Sequence, residues 1–397
     1  MLKNRTTLRF NRLAALTATF FLMTSMITHA SEGWQKMPDT LTSSIEGYSD
    51  AIPGARGVGG IAVDRFTGDL YAGLSGKPFG LWRSSDGGET WVRVDSGEVA
   101  GGWVRPDSVQ MDQNRPGRMA FFRMGSPAPL NYNGGPTPSS AYTLDGGETW
   151  TVFQKAKRNQ GSAGWGMGVI DWAQEVPQTF VAQAFWRPSL MVSVEGKNDF
   201  RRNLGVFANY PNYNSEWMQH YDEQRWKDFK KERVKGFGVC KDAILLGQWD
   251  TGIERSTDGG ANFENVSDFL VATKTPVFFD GKLYWGGEKG LLVSEDDGAT
   301  WSLQGEPLPM IRQGPFFGPD ANKIAVVTEE GIFGTGDAGV SWQKIAPLAE
   351  TPEAWRMNLE PDYLRQPDWL RQCYAWDYRR GRFYVAGMAS PIYVYEY

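Results

Sequence analysis

The sequence predicts an all-β protein, a seven-bladed β-propeller whose last blade is completed by the N-terminal strand. Three observations predict it. An eight-residue phrase recurs along most of the chain. Short alternating apolar runs of strand length fill the intervals between its copies, in sets of four. The C-terminal set stops at three strands, and the missing outer strand is found at the other end of the chain.

The recurring phrase is Ser84-Ser-Asp86-Gly-Gly-Glu-Thr-Trp91. It returns at Thr143–Trp150, Ser256–Phe263, Ser294–Trp301 and Thr335–Trp342, and in degenerate form at Ser193–Phe200. The pattern S-x-D-x-G-x-x-W is the Asp-box, or BNR, repeat. Its chemistry is structural: an aspartate accepts backbone amides inside a tight turn. Glycine supplies the positive φ the turn needs, and the tryptophan starts the next strand and buries a ring between neighbouring sheets. Five evenly spread aspartates are five hairpins, not five active sites.

The strand sets give the blades. Blade 1 reads Gly60–Asp64, Asp69–Gly73, Gly80–Arg83 and Trp91–Val94. Blade 2 runs over 108–153, blade 3 over 168–203, blade 4 over 237–266, blade 5 over 276–303 and blade 6 over 315–345. Blade 7 has Tyr374–Asp377, Arg382–Ala386 and Ile392–Glu396. Gly33-Trp-Gln-Lys-Met-Pro38 matches Ser341-Trp-Gln-Lys-Ile-Ala346, the outer strand of blade 6. The segment Trp34–Met37 is therefore expected to finish blade 7, closing the ring and removing its exposed edges. Long insertions are expected near 207–235 and 347–372, rich in Trp and Tyr. Such loops on a rigid scaffold are places to look for function.

The N-terminus reads as a targeting segment. Lys3, Arg5, Arg9 and Arg12 precede the apolar stretch Leu13–Ile27, and Ala30 supplies a small residue for cleavage. This is a cleavable secretory signal, too short in its apolar part to span a bilayer. Residues 31–397 are then expected as a single periplasmic or secreted propeller, a monomer with no membrane span. Its formal charge of −5 becomes more negative once four cations leave with the signal. Such a chain is no general nucleic-acid binder. The two cysteines, Cys240 and Cys373, fall on inner strands three blades apart. That is too far for a disulfide, so two free thiols are expected. With two Cys and two His in all, no metal site or other cofactor is expected.

The face opposite the repeats, around the channel mouth, is where a ligand should bind. Cations stand before the inner strands: Arg56, Arg105, Lys235, Lys274, Arg312 and Arg371, with Trp165 taking the place in blade 3. They either converge on the mouth, where they suit a carboxylate, sulfate or phosphate, or pair with neighbouring acids. The loops between second and third strands add Trp186, Arg187, Trp249, Asp250, Glu288, Lys289 and Glu329. Aromatic faces beside carboxylates suit a sugar. Asp250 with Glu288 or Glu329 could hydrolyse a glycosidic bond. Alternatively, a lyase would use arginine to neutralise a uronate while His220 or a tyrosine takes the C5 proton. His220, in the first insertion, is the sole histidine after signal cleavage.

The repeats resemble the sialidase/BNR superfamily, and their Asp-Gly-Gly-x-Thr-Trp style is similar to photosystem II assembly factors and xyloglucanase-type glycoside hydrolases. The sialidase resemblance implies an arginine triad and a Tyr/Glu nucleophile pair. The characteristic Arg-Ile-Pro start is absent, Ile52-Pro53-Gly-Ala-Arg56 being only a loose echo of it, and Tyr374 beside Arg371 is the candidate nucleophile position, with no Glu partner assigned. Most sialidases, however, have six blades. The xyloglucanase resemblance implies an Asp in the first blade's second-to-third loop, but Leu74–Gly80 contains no acid. The assembly-factor resemblance implies binding without catalysis. Two classes remain open: a hydrolase or lyase acting on an acidic glycan, which the long aromatic loops favour and which is the preferred expectation, and a non-catalytic binding or assembly factor with a protein partner, which the lack of a recognisable catalytic set favours.

Overall fold

Each interval between repeats folds as four antiparallel strands, laid from the channel outward in chain order. The inner strands are Val58–Val63, Val109–Met111, Gly168–Ile170, Arg233–Cys240, Val277–Phe279, Ile311–Phe317 and Gln372–Asp377, numbered here as blades 1 to 7. The computed structural model describes residues 33–38, 40–44, 57–74, 78–101, 104, 108–122, 139–154, 168–183, 189–193, 202–207, 233–349, 372–387 and 391–397. The expected signal, residues 1–30, lies outside them. So do residues 194–200 of the degenerate repeat and most of both expected insertions. Among the described residues the only helices are the short 3₁₀ turns Thr42–Ser44 and Gly97–Val99. None is long and apolar enough to cross a membrane.

The last blade is shared between the two ends of the chain. Gln35 pairs with Val394 and Lys36 with Tyr393, making the N-terminal strand the outermost of blade 7. The paired stretch is Gln35–Lys36, shorter than the four residues expected, and its neighbours secure it. The Met37 amide donates to Ile392 O at 2.9 Å. The Trp34 indole donates to Pro347 O at 3.1 Å, and its ring lies 5.5 Å from that of Tyr395. Met37 and Leu41 are buried in the core shared by blades 7 and 1.

Two departures from the expected strand plan concern the first insertion. The outer strand of blade 3 extends to Phe207, and the inner strand of blade 4 begins at Arg233. The two pair in parallel, Val206 with Arg233 and Phe207 with Val234. Blades 3 and 4 thus form one eight-stranded sheet, while the other five blades are separate four-stranded sheets. Lys235, expected in the approach to blade 4, lies within its inner strand.

The five clear repeats fold alike, with one correction to their expected logic. The buried residue is the first one: Ser84, Thr143, Ser256, Ser294 and Thr335 are all buried. Each hydroxyl donates to the aspartate two residues on, at 2.6–2.9 Å. Each also accepts the amide of the glycine four residues on, at 2.7–3.0 Å. The aspartate Oδ1 in turn accepts the amide four residues beyond it, at 2.8–3.0 Å. The closing aromatic rings of Trp91, Trp150, Phe263, Trp301 and Trp342 are half-buried, each packed against the edge of a core cluster.

A second set of aspartates staples blade to blade. Asp64, Asp112, Asp171 and Asp377 end inner strands and are buried. Asp64 accepts the Phe66 amide of its own turn at 2.8 Å and the Gly117 amide of blade 2 at 2.7 Å. Asp171 accepts Ala173 N at 3.0 Å and Asp242 N of blade 4 at 2.9 Å. Arg380 of blade 7 donates to Gly68 O and Ser85 O of blade 1. At the opposite end of the strands, glycines let the next connection pack close. A Cβ on Gly73 would stand 2.2 Å from Val104 Cγ1, and one on Gly247 2.2 Å from Val271 Cγ2.

Candidate functional site

The inner strands enclose a channel whose cavity measures about 220 Å³. Its walls are runs of consecutive inner-strand residues, including Ile61, Val109, Val169 and Phe237. Inner strands expose one unpaired edge here, and glutamines cover parts of it. Gln110 Oε1 accepts the Ile170 amide of the next blade at 3.2 Å. Gln313 accepts the Tyr374 amide at 2.8 Å and donates to Gln372 O.

The two ends of the channel differ. At the end shared with the repeats, side chains cross from blade to blade. Arg65, just past the inner strand of blade 1, donates from Nε to Gln113 O of blade 2 and from Nη1 to Gly318 O of blade 6, both at 2.6 Å. Its guanidinium also lies over the rings of Phe66 and Phe279, at 4.1 and 4.6 Å. Asn114 of blade 2 reaches blade 5, donating to Phe278 O at 3.0 Å and accepting the Asp280 amide at 2.8 Å. The opposite end is the mouth, lined by Lys274, Arg312, Gln313 and Gln372.

Of the residues singled out from the sequence, Lys235, Lys274, Arg312, Trp249, Asp250, Glu288, Lys289, Glu329 and Tyr374 are described. Arg56, Arg105, Trp165, Trp186, Arg187, His220 and Arg371 lie outside the described residues. Lys274 and Arg312 both line the channel. Arg312 donates from Nη2 to Glu329 Oε2 at 3.0 Å. Burial pulls its guanidinium below the ordinary value, while Glu329 pulls the other way. Glu288 pairs with Lys235 at 2.5 Å. The Lys235 ammonium also stands 5.2 Å from the centre of the Trp249 ring, a cation–π contact. Two of the three carboxylates considered for hydrolysis are thus held by cations of the same face. Asp250 is exposed in the turn after Trp249.

Tyr374 lines the channel but is buried. Its hydroxyl donates to Gln372 Oε1 at 2.9 Å and accepts the Ala349 amide at 3.2 Å. Burial pushes the phenol up, away from the phenolate a nucleophile needs. Tyr374 here organises the wall where blade 7 meets the segment after blade 6.

Sequence reasoning named Lys235 among the cations of the mouth but missed Arg65. Arg65 directly follows Asp64, one of the aspartates that end inner strands, so its place at a strand end was readable. Its reach across the channel was not. Among the described residues that line the channel, the charged ones are Arg65, Lys274 and Arg312; no carboxylate lines it. Among the described residues no His, Cys, Asp and Glu group could hold a metal ion.

No family model matches this sequence, and no curated protein matches it. Solved structures do. A GH74 xyloglucanase from Xanthomonas campestris is 15% identical, with a TM-score of 0.43, over 85% of this chain and 50% of that one. This chain therefore spans about half the length of that enzyme. YCF48 from Cyanidioschyzon merolae is 9% identical, with a TM-score of 0.42, over 92% of this chain and 98% of that one. An oligogalacturonate lyase in complex with manganese is 7% identical, with a TM-score of 0.49, over 91% and 96%. The propeller assignment rests on this chain's own strand order and ring closure.

Proposed function

We propose that this protein is a secreted propeller that binds an acidic glycan across the mouth of its channel, on the face opposite the repeats. One observation carries the reading: the charged residues among the described channel lining at the mouth, Lys274 and Arg312, are both cations. The Asp-box aspartates, which relate the chain to the sialidase/BNR type, stay at the other end as hairpin chemistry. Guanidinium groups suit carboxylates and sulfates because the planar fork matches two oxygens at once. At the mouth, the Lys235–Trp249 pair adds an aromatic face next to a cation, a combination suited to an acidic sugar ring.

Binding is favoured over catalysis because Glu288 and Glu329 are both ion-paired. A second reading, hydrolase or lyase, keeps one observation in its favour. The two side chains stand on neighbouring blades at the mouth and remain 36% and 44% exposed, within reach of a ligand. The protein-binding alternative has the same cationic surface behind it, for an acidic peptide.

The test is titration calorimetry of the mature protein with polyuronate and sialylated oligosaccharides, at low and high salt. Saturable binding is expected, weakened by salt and reduced about tenfold or more by Arg312→Ala, the loss of one charge-assisted contact. Parallel assays for unsaturated uronate absorbance and for new reducing ends should stay flat. A rise in the first would make the protein a lyase, and a rise in the second alone a hydrolase. Failure of every acidic glycan to bind would overturn the proposal.

A further inference from the structure

We infer that Glu329 is a built-in competitor at the mouth, holding Arg312 until the carboxylate of an acidic glycan displaces it. The inference rests on the glycan reading and adds the residue that sets how tightly the ligand is held. Arg312 stands on the inner strand of blade 6, Ile311–Phe317, and lines the channel. Glu329 follows the second strand of the same blade, Ile324–Thr328, in the turn that leads to Ile332. The two meet at 3.0 Å, Nη2 to Oε2.

The partners of this pair are unequal. The Arg312 side chain is 16% exposed and that of Glu329 44%. Burial pulls the guanidinium below its ordinary value, and the charge of Glu329 pulls it back. The cation therefore depends on an acid beside it, while the carboxylate loses little by turning to water. The turn beneath Glu329 is fixed. Thr328 is buried, and its hydroxyl donates to Gly331 O at 3.0 Å and accepts the Glu330 amide at 3.1 Å. The Glu329 amide donates to Met310 O at 3.2 Å, and Lys344 Nζ donates to Glu330 O at 2.6 Å. With the backbone anchored in this way, Arg312 is released by a change of rotamer at Glu329.

A ligand carboxylate can then replace the Glu329 carboxylate one for one, and Arg312 keeps an anionic partner throughout. A neutral sugar brings hydroxyls alone. To reach the guanidinium it would exchange a charged partner for an uncharged one, which leaves a partly buried cation poorly compensated. The acid therefore raises the threshold for every ligand that needs Arg312, and a carboxylate is the group equipped to cross it.

The test is calorimetry with galacturonate trimer at fixed ionic strength. The proteins are wild type, Glu329→Gln, Glu330→Gln, Arg312→Ala and the double variant Arg312→Ala with Glu329→Gln, each checked for folding by thermal melting. Glutamine keeps the shape of the side chain and an oxygen that accepts from Arg312, but not the charge. Glu329→Gln is expected to bind the trimer about tenfold more tightly than wild type. Glu330→Gln removes the same charge from the same turn and should change affinity less than about twofold. In the Arg312→Ala background, Glu329→Gln should lose its effect, because nothing is left to compete for. Equal or weaker binding by Glu329→Gln, with wild type binding, would overturn the competitor and leave the glycan reading standing. Tightening of the same size in Glu330→Gln, or tightening that survives Arg312→Ala, would overturn it as well, in favour of a general charge effect. Absence of binding by both wild type and Glu329→Gln would remove the glycan reading and this inference together.

Discussion

The aspartate that makes the repeats recognisable is exposed, while the Ser or Thr two residues before it is buried. The hydroxyl is the hub: it donates to the carboxylate and accepts a glycine amide. Ser294→Ala should therefore strand the Gly298 amide and destabilise the protein by about 1–3 kcal/mol, read as a lower urea midpoint with unchanged m-value. The aspartate shows itself through pH. Hydrogen bonds from Ser341, side chain then backbone, and from Thr335 hold the Asp337 carboxyl at about 2, down from 3.8. A carboxyl depressed in the native state stabilises fully above its unfolded value and loses that contribution as pH falls through the native one. The gap in urea midpoint between wild type and Asp337→Ala should thus be open at pH 5 and close as pH falls from about 4 to about 2. A gap that stayed constant across that range would mean the carboxylate charge is irrelevant to the turn.

At the scale of elements, the closing strand is short in hydrogen bonds and strong in packing. Gln35 and Lys36 form the pairing, and both are exposed. Met37 is 8% exposed and sits in the core with Leu70, Ala72 and Tyr384. Met37→Ala should cost about 2–5 kcal/mol, as deletion of a buried side chain does. Thermal melting would report it, and a change under about 1 kcal/mol would mean that the backbone pairs alone hold the ring shut. This closure was legible because Trp34-Gln-Lys repeats the outer strand of blade 6 almost residue for residue. The fusion of blades 3 and 4 was not. It depends on Phe207 and Arg233 coming side by side after a long insertion, and no local propensity encodes that meeting.

The ring as a whole ties distant blades through the channel floor: Arg65 joins blades 1, 2 and 6, and Asn114 joins 2 to 5. Cross-ties of this kind favour unfolding as a unit, and the two thiols can report it. Cys240 and Cys373 are both free and buried. Burial first, then Asp171, pushes the Cys240 thiol up, so it stays protonated and inert. A thiol reagent should label neither cysteine in native protein and both through the global urea transition. Labelling of either one well below that transition would show that blades open separately.

Strand number, blade order, the roles of the repeats and the shared last blade followed from sequence. Each is written in local chemistry: a turn needs its glycine, a strand its alternation, an edge its partner. The face proposed to bind was chosen from the sequence, since the repeats occupy the other one. Only the tertiary structure decided which charges meet. Whether Glu288 and Glu329 act as carboxylates or as partners of Lys235 and Arg312 depends on side chains from different strands, brought within hydrogen-bond distance by ring closure. The end crossed by Arg65 and Asn114 depends on the same closure, because its residues come from different blades and share no pattern in the chain.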